Sequence, residues 1–390
     1  MRVLFVISDL AFHGAQKQVV ELARELDRAR HEVMICTLNR DVGRKRELEG
    51  TRVEVVADQK RRKLDFAVVR RLRARVRAFR PDVIHGFLYD GDIYARLAGF
   101  GMGAVVLNSE RSDDYTISLS QKLMHRATRF LVDGVVANSR SGSAFAQRLY
   151  GYAPDQMHVV WNGLRIEELE RRGESADDYK REFFGAADSG AAGAHKVVCL
   201  IGHIKPAKDY HLALDVAAAL VRRDASWRVL FLGEALSGTT YRAGQDSDTN
   251  DYKRSVLEHF QRLGIADKVK FAGVRTDAPA ILAQCDVQLM TSCREGFPNV
   301  VLEGMVLGVP VVSTVYSDIR QILPHAGQVV ESRDPEALAQ AILDAYADRE
   351  AIAAEQKRWV RTHASIETAA RELERVYARY LKPHGHPVAA

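Results

Sequence analysis

Two glutamates, Glu295 and Glu303, stand eight residues apart around the sequence Gly-Phe-Pro-Asn. Pro298 suits the first turn of a helix, because the N–H that proline lacks has no partner there in any case. We therefore predict a helix from about Asn299 to Leu307, with Glu295 in the loop before it and Glu303 about one turn along it. Both carboxylates would then lie close to the start of the same helix.

The start of this predicted helix has the features of an anion site. The first N–H groups of a helix have no partner within it, and the helix dipole is positive at that end, so a diphosphate can bind there. The candidate residues in and around this turn are Gly296, Phe297, Asn299, Val300 and Val301. Carboxylates repel phosphates, so we expect the two glutamates to face hydroxyl groups instead.

The elements that must position these residues are predicted from short apolar runs that alternate with helical patterns. The runs are continuous and rich in β-branched residues, as expected of parallel strands buried on both faces. They are Val3–Ile7, Val33–Leu38, Val53–Val56, Val83–His85, Val105–Leu107, Val135–Ala137, Val159–Trp161, Val197–Ile201, Val229–Leu232, Val269–Phe271, Val287–Met290, Val311–Ser313 and Val329–Val330. Alternation of this kind predicts an α/β fold with doubly wound parallel sheets, whose ligands bind beyond the carboxyl ends of the strands.

The alternation lapses once, which predicts two domains of similar size. Residues 167–195 are charged and small and read as a linker with some helix in its first part, between domains at 1–166 and 196–365. Two parallel sheets that face each other would place a ligand in the cleft between them. The polar insertion 234–252 follows a predicted strand and reads as a mobile loop, either a lid or a simple excursion.

Composition excludes several classes of protein. The chain has 390 residues, 47% of them apolar, and its four cysteines form no Cys-x-x-Cys pair, which argues against a zinc site or a disulfide framework. No apolar run approaches the 18 or so residues of a membrane span. We expect a protein of the reducing cytoplasm.

A basic run from Lys60 to Arg80 contains ten Lys and Arg residues and one acid, Asp65. It reads as a solvated helix face, a nucleic-acid patch or a patch for an anionic membrane surface. Aromatic residues are not interleaved with the cations as in single-strand binding surfaces, so no nucleic-acid partner is expected. An apolar stripe should pack inward and leave five arginines mostly toward solvent or lipid: Arg70, Arg71, Arg73, Arg75 and Arg77. If these arginines face lipid, the protein would be peripheral at the inner face of the plasma membrane.

The segment from Glu295 to Glu303, followed by Gly-x-Pro-Val-Val from Gly308 to Val312, resembles the signature of glycosyltransferase family 4. The resemblance implies the GT-B fold, in which two Rossmann-like domains face each other across a cleft. It implies that Glu295 contacts the sugar of a nucleotide diphosphate sugar donor and that Glu303 contacts the ribose hydroxyls. It also implies transfer with retention, no divalent metal and no cofactor besides this co-substrate.

Further segments resemble the same family. Gly14, in Phe-His-Gly-Ala-Gln-Lys, stands in the family's glycine loop near the diphosphate. Lys208 matches the lysine that holds the diphosphate and stabilises the leaving group, whereas His203 replaces the usual arginine, and Lys205 or a protonated His203 could supply that charge. Val274 lies in the turn that packs on the nucleobase. The resemblance also implies that the final helix, at 366–390, packs back on the first domain.

The acceptor side of the first domain departs from the family pattern. Many relatives have a histidine after the strand that matches Val105–Leu107, and Glu110 stands roughly in its place. Glu110, Arg111 and Asp113 are therefore acceptor-side candidates, with a loop salt bridge as the alternative. His85, at the end of a strand, is either a further candidate or a structural histidine. The acceptor is expected to be a glycan or a lipid-linked glycan.

Other functions stay open on the sequence. A nucleotide-sugar epimerase of the same fold would need its own base and no acceptor, and a membrane-surface adaptor would need no paired glutamates. Two Asp-x-Asp strings, at Asp90–Asp92 and Asp246–Asp248, match a metal motif of another glycosyltransferase architecture, but neither has its context. UDP-hexoses or UDP-N-acetylhexosamines are the preferred donors, ahead of GDP-mannose.

Overall fold

The computed structural model describes residues 1–62, 64–111, 117–185, 195–234 and 247–381. The chain divides into two compact units, one formed by residues 1–164 together with the chain from 364 onward, and the other by residues 165–363. Both units are layered α/β structures, each built on one parallel sheet. The α/β fold class predicted from the alternating pattern is confirmed.

The sheet of the first unit has seven strands in the order β3-β2-β1-β4-β5-β6-β7, and every pairing is parallel. The strands are β1 (Arg2–Ile7), β2 (Glu32–Thr37), β3 (Glu54–Ala57), β4 (Val83–Phe87), β5 (Val105–Glu110), β6 (Gly134–Ala137) and β7 (Met157–Val159). The strand order reverses between β1 and β4, which is the point where doubly wound sheets bind ligands. The last strand ends two residues before the predicted one does, although the N–H of Val160 still donates to the carbonyl of Ala137 at 2.9 Å and its side chain packs in the core of this unit.

Helices cover both faces of this sheet. They are α1 (Gly14–Arg28), α2 (Phe66–Phe79), α3 (Leu88–Gly99), α4 (Leu119–Thr128), α5 (Arg140–Tyr150) and, from the other end of the chain, α15 (Ile366–Tyr380). On one face Val3 and Phe5 pack with α1 and α15, and on the other Leu4 and Val6 pack with α2 and α3. This burial on both faces explains why the strands are uninterrupted apolar runs.

Helix α15 is held in the first unit by polar contacts as well as by apolar packing. The backbone N–H of Ile366 donates to the carbonyl of Leu164 at 2.9 Å, which joins the start of the helix to the segment after β7. Further along, the hydroxyl of Tyr380 lies 2.8 Å from Nε2 of His158. These two contacts help to fix the position of the helix along the sheet.

The sheet of the second unit has six parallel strands in the order β10-β9-β8-β11-β12-β13. They are β8 (Lys196–Ile201), β9 (Trp227–Leu232), β10 (Val269–Phe271), β11 (Val287–Met290), β12 (Val311–Thr314) and β13 (Val329–Val330). The order reverses between β8 and β11. Each of these two strands is followed by one of the candidate binding segments.

The helices of the second unit include two that fall in the predicted linker. The full set is α6 (Ile166–Gly173), α7 (Tyr179–Phe184), α8 (Tyr210–Arg223), α9 (Ser247–Leu263), α10 (Ala278–Ala283), α11 (Asn299–Leu307), α12 (Ile319–Ile322), α13 (Pro335–Ala347) and α14 (Arg349–His363). Tyr179 and Phe183 of α7 pack in the core of this unit. Of the polar insertion 234–252, residues 235–246 lie outside the described residues, and α9 begins directly after them.

The basic run does not present its cations as predicted. In α2 the stripe Val68, Leu72 and Val76 is buried, as an amphipathic helix requires. Arg71 and Arg75, however, turn back to the buried carboxylate of Asp58, at 3.1 and 2.7 Å.

Arg73 of the same helix donates to the carbonyls of Leu97 and Phe100 at 3.1 and 2.9 Å. The expectation that all five arginines lie mostly toward solvent or lipid is therefore wrong for Arg73 and Arg75, which are half-buried because nearby acceptors bind their long side chains. Arg71 stays exposed although it pairs with Asp58. Arg70 and Arg77 are exposed. Among the described residues, no helix is both long enough and apolar enough to cross a bilayer.

Candidate functional site

Helix α11 begins and ends where the sequence predicts. It starts at Asn299 after Pro298 and stops at Gly308, which has the left-handed backbone (φ 75°) that favours glycine. The N–H groups of Asn299 and Val301 are not free, because they donate to the carbonyls of Phe297 and Pro298 at 3.1 and 3.0 Å. An incoming phosphate would compete with these short-range bonds for the two N–H groups.

The carboxylate of Glu295 pairs with the ammonium group of Lys208. The two lie after different strands, β11 and β8, yet Lys208 Nζ is 2.5 Å from Glu295 Oε1. The hydroxyl of Ser292 donates to the same oxygen at 3.0 Å. The structure thus brings together two residues whose roles the sequence predicts separately. To bind a phosphate, Lys208 would have to leave Glu295 or to contact Glu295 and the phosphate at the same time.

Direct hydrogen bonds tie together the two segments that carry this pair. The hydroxyl of Thr291 donates to the carbonyl of Lys208 at 2.7 Å, and the N–H of Cys293 donates to the carbonyl of Ala207 at 2.9 Å. Side chains held by packing and by several hydrogen bonds lose little freedom when a ligand binds. The site in this unit is therefore partly formed before any ligand arrives.

Arg333 makes a third connection, which sequence reasoning missed. Its guanidinium donates to the carbonyl of Thr291 and to the carboxylate of Asp209, both at 2.7 Å. Asp209 directly follows Lys208, has a left-handed backbone (φ 47°) and caps α8 through the N–H of Leu212. Arg333 thus holds a strained residue next to Lys208. No local motif marks this arginine, which is 125 positions from Lys208.

The remaining candidates of the second unit are placed around the same ends of the strands. His203 and Lys205 follow β8 and are exposed, and Glu303 is half-buried one turn into α11. The side chain of Val274, in the turn after β10, is 78% exposed, an arrangement that leaves an apolar surface open to a flat ring. The roles assigned to these residues stay predictions.

In the first unit the candidates gather at the end of β5. Glu110 is the last residue of this strand, and Arg111 follows it. The guanidinium of Arg111 donates to Oδ1 of Asn162 at 2.8 Å and to the hydroxyl of Ser109 at 3.2 Å. Its enclosure by protein lowers the pKa of Arg111 to about 10, so it stays cationic at neutral pH. Asp113 lies outside the described residues.

His85 is fully buried and has partners on both ring nitrogens. Nδ1 is 2.8 Å from the hydroxyl of Tyr377 in α15, and Nε2 is 2.9 Å from the hydroxyl of Ser109. Burial, with a smaller effect from Arg111, lowers the pKa of His85 well below its usual range, so the ring is neutral. These contacts are those of a structural histidine, the alternative that the sequence leaves open, and a part for His85 in substrate binding stays a prediction.

The glycine loop of the first unit has a local anchor. Gly14 is the first residue of α1, and His13 before it is extended and exposed. The side-chain amide of Gln16 donates to Oδ1 of Asp9 at 2.8 Å. That hydrogen bond links the segment after β1 to the first turn of α1.

The two carboxylates of the Asp90–Asp92 string are engaged separately. Asp90 pairs with Lys60, whereas Asp92 is buried in α3 and accepts the N–H of Ser109 at 3.3 Å. Within the described ranges, no cluster of three His, Cys, Asp or Glu side chains is placed to hold a metal ion. Of the other string, Asp246 lies outside the described residues.

Replacing Asp92 with asparagine is expected to change how stability depends on pH. Burial raises the pKa of Asp92 from 3.8 to about 7, so between these values the folded state binds a proton that the unfolded state releases. Stability must then fall as pH rises from about 4 to 7, by at most about 4 kcal/mol for this group. An asparagine side chain cannot ionise, so the Asp92→Asn variant should be more stable than the wild type at neutral pH.

Thermal unfolding at several pH values from 5 to 8 measures this difference. Asp90→Asn is the control, since Asp90 is two residues away in α3 but pairs with Lys60 and is less buried. An identical pH dependence in the wild type and Asp92→Asn would contradict the assignment of the raised pKa to Asp92.

Comparisons with known proteins bear on both units. The family model for Glycosyltransferase Family 4 matches residues 12–168, and the model for Glycosyl transferases group 1 matches residues 195–348. Among curated proteins, a D-inositol 3-phosphate glycosyltransferase of Corynebacterium urealyticum is 26% identical over 62% of this chain and 55% of its own length. The chain spans about half the length of the curated relatives it matches.

Solved structures share the fold over almost the whole chain. HepE of Anabaena in complex with UDP has a TM-score of 0.78 at 21% identity, covering 97% of this chain and 100% of its own. A glycosyltransferase from Rickettsia africae has a TM-score of 0.79 at 17% identity, covering 98% and 99%. The two parallel sheets, the segment from Glu295 to Glu303 and these matches together show that the chain belongs to glycosyltransferase family 4 and has the GT-B fold.

Proposed function

We propose that this glycosyltransferase transfers a hexose or an N-acetylhexosamine, with retention of configuration, from a UDP-sugar to a glycan or lipid-linked glycan. The observation that carries the proposal is the Lys208–Glu295 pair beside the first turn of α11. A cation suited to a diphosphate and a carboxylate suited to a sugar lie together there near a helix N-terminus, which supports the proposal. UDP is preferred because solved relatives of this fold were crystallised with UDP and UDP-glucose.

In this proposal the second unit binds the donor. Lys208 and the N–H groups of Asn299, Val300 and Val301 bind the diphosphate, with Lys205 or His203 as additional cations. Glu303 accepts hydrogen bonds from the ribose hydroxyls and Val274 lies against the base.

Transfer breaks the bond between the anomeric carbon and the diphosphate oxygen and forms a bond from that carbon to the acceptor oxygen. The acceptor proton passes to the departing diphosphate, so no protein base is required. Glu295 stabilises positive charge on the sugar ring, and Lys208 stabilises negative charge on the leaving group. Glu110, Arg111 and Asp113 are the proposed acceptor contacts.

No divalent metal is proposed in this reaction. In this proposal the positive charge that a metal ion would otherwise supply comes from Lys208, Lys205 and the N-terminus of α11. The carboxylates of Asp90 and Asp92 support the proposal because one is paired with Lys60 and the other is buried against a backbone N–H. EDTA should therefore leave both donor binding and turnover intact.

Thermal unfolding against a panel of nucleotide sugars tests the donor assignment. A UDP-sugar at about 100 times its dissociation constant should add about 2.7 kcal/mol of stability, in EDTA as in manganese. Glu303→Gln should reduce the effect, whereas Glu331→Gln, which removes an exposed partner of Arg320 in the same unit, should not. Stabilisation that required manganese would overturn the metal-free site.

The rival functions are tested with the same protein. Incubation with the UDP-sugar alone, followed by analysis of the sugar, should show no epimerisation. Epimerisation without an acceptor would favour the epimerase. A protein with no response to any nucleotide sugar, but with membrane binding, would favour the adaptor.

Attachment to the inner face of the plasma membrane is part of the proposal, since a lipid-linked acceptor would lie there. The basic run Lys60–Arg80 is a weaker basis for it than the sequence suggests. Arg71 and Arg75 are bound to Asp58 and Arg73 to backbone carbonyls. A different surface of the first unit is better suited to lipid.

A further inference from the structure

Helix α4 exposes a row of large apolar side chains. Within the helix, Leu119 is 71% exposed and Leu123 is 57% exposed. Phe130, in the short turn after the helix, is 76% exposed. Leu119 and Leu123 are four positions apart and therefore lie on one side of α4, and Phe130 adds a third exposed apolar side chain in the turn that follows. The opposite side packs inward, since His125 is buried and stacks on Tyr150 at 4.2 Å between ring centroids.

Helix α4 is stabilised at its start and bound to the rest of the unit near its end. Ser118 and Gln121 form a reciprocal capping box at its start. Near its end, buried Arg96 donates to the hydroxyl of Thr128 at 2.7 Å and contacts Nδ1 of His125 at 2.9 Å. The exposed row is therefore a fixed feature of the fold.

Three cations, Lys122, Arg126 and Arg129, accompany the apolar row, and residues 117–132 contain no Asp or Glu. With every residue that the structure describes taken into account, none of the three forms an ion pair. Arg129 donates one hydrogen bond, to the carbonyl of Gly151 at 2.9 Å. The contrast with α2 is direct, because there a buried carboxylate neutralises two of the arginines.

We propose that this surface of α4, formed by Leu119, Lys122, Leu123, Arg126, Arg129 and Phe130, binds the surface of an anionic lipid bilayer. The apolar side chains would enter the region between headgroups and acyl chains, and the cations would lie at the level of the lipid phosphates. An apolar row beside unpaired cations is the pattern of helices that lie in a membrane interface. The absence of Asp and Glu from residues 117–132 favours an anionic partner.

Binding to vesicles tests the proposal on the full-length protein. It should sediment with vesicles that contain about one third phosphatidylglycerol at about 50 mM salt and be released at about 500 mM, where charges are screened. Vesicles of phosphatidylcholine alone should bind it far less. Each of Lys122→Gln, Arg126→Gln and Arg129→Gln should weaken binding about fivefold, the equivalent of about 1 kcal/mol per cation.

Apolar substitutions give a second, charge-independent measurement. Leu119→Gln with Leu123→Gln and Phe130→Ser should lower binding at least about tenfold, because buried apolar area is lost without a change of charge. A matched control exists on the same unit: Phe66→Ser with Arg70→Gln and Arg77→Gln removes an exposed aromatic residue, 72% exposed, and two exposed cations of the basic run. The control should bind as the wild type does.

Several results would overturn the proposal. It fails if the wild type does not bind anionic vesicles at low salt, or if the control triple variant loses as much binding as the α4 variants. It also fails if light scattering shows a dimer that the apolar α4 substitutions dissociate, since the surface would then join two copies of the chain. All substituted side chains are on the surface of the first unit, so stabilisation by a UDP-sugar, measured in the same variants, reports separately on the proposed function.

Discussion

Glu295→Gln is expected to lower kcat about a hundred- to a thousandfold and to change the KM for donor far less. In the proposed reaction the sugar ring gains positive charge as its bond to the diphosphate loosens. A negative carboxylate beside the ring stabilises that charge more in the transition state than in the bound donor. Its loss therefore slows turnover more than it weakens binding.

The structure makes glutamine a suitable replacement. Its side-chain oxygen can still accept the hydroxyl of Ser292, which lies 3.0 Å from the carboxylate. The substitution removes the charge and the ion pair with Lys208 while leaving shape and one hydrogen bond in place. A loss of kcat would then report on charge.

Glu303→Gln is the matched comparison, because it makes the same chemical change eight residues away in the same segment. Ribose hydroxyls are remote from the reacting bond and are held equally in the ground and transition states. This variant should raise the KM for donor with little effect on kcat. Donor-saturation kinetics on both variants, after thermal unfolding confirms that each is folded, make the measurement. Normal turnover of Glu295→Gln at saturating donor would refute the role given to Glu295.

Lys208→Met is expected to reduce kcat by a similar factor, about a hundredfold or more, because the diphosphate leaves with growing negative charge. Methionine retains most of the length of the lysine side chain and removes its charge. Lys208 is part of a pair, so the double variant with Glu295→Gln should lose less than the product of the two single losses. The losses of kcat multiply when two residues act independently, whereas residues that act together lose less than that product.

Lys180→Met is the control for stability. Lys180 Nζ lies 2.6 Å from Oδ2 of Asp286, and both side chains are about as enclosed as those of Lys208 and Glu295. That pair precedes β11, at the amino end of the strand, whereas Glu295 follows the carboxyl end. Lys180→Met should leave kcat unchanged. If it lowers kcat as much as Lys208→Met, the loss would reflect a weakened second unit, and the proposed part of Lys208 in the reaction would be wrong.

Much of the fold follows from local sequence signals. β1 and β8 are uninterrupted apolar runs because both faces of each sheet are covered, and that pattern can be recognised from five or six consecutive residues. The bounds of α11 depend on Pro298 at its start and Gly308 at its end, which act through their own backbone geometry. Such features require no knowledge of the rest of the chain.

The sequence by itself thus determined the strand and helix pattern, the family, and the candidate residues Glu295, Glu303 and Lys208. The tertiary structure decided which of these side chains meet. Lys208 reaches Glu295, 87 positions away, because β8 and β11 are neighbours at the reversal of the strand order. Arg333 joins their loops for the same reason. Contacts between distant segments depend on strand order and on the paths of the loops, and the periodicity of a single segment contains no information about either.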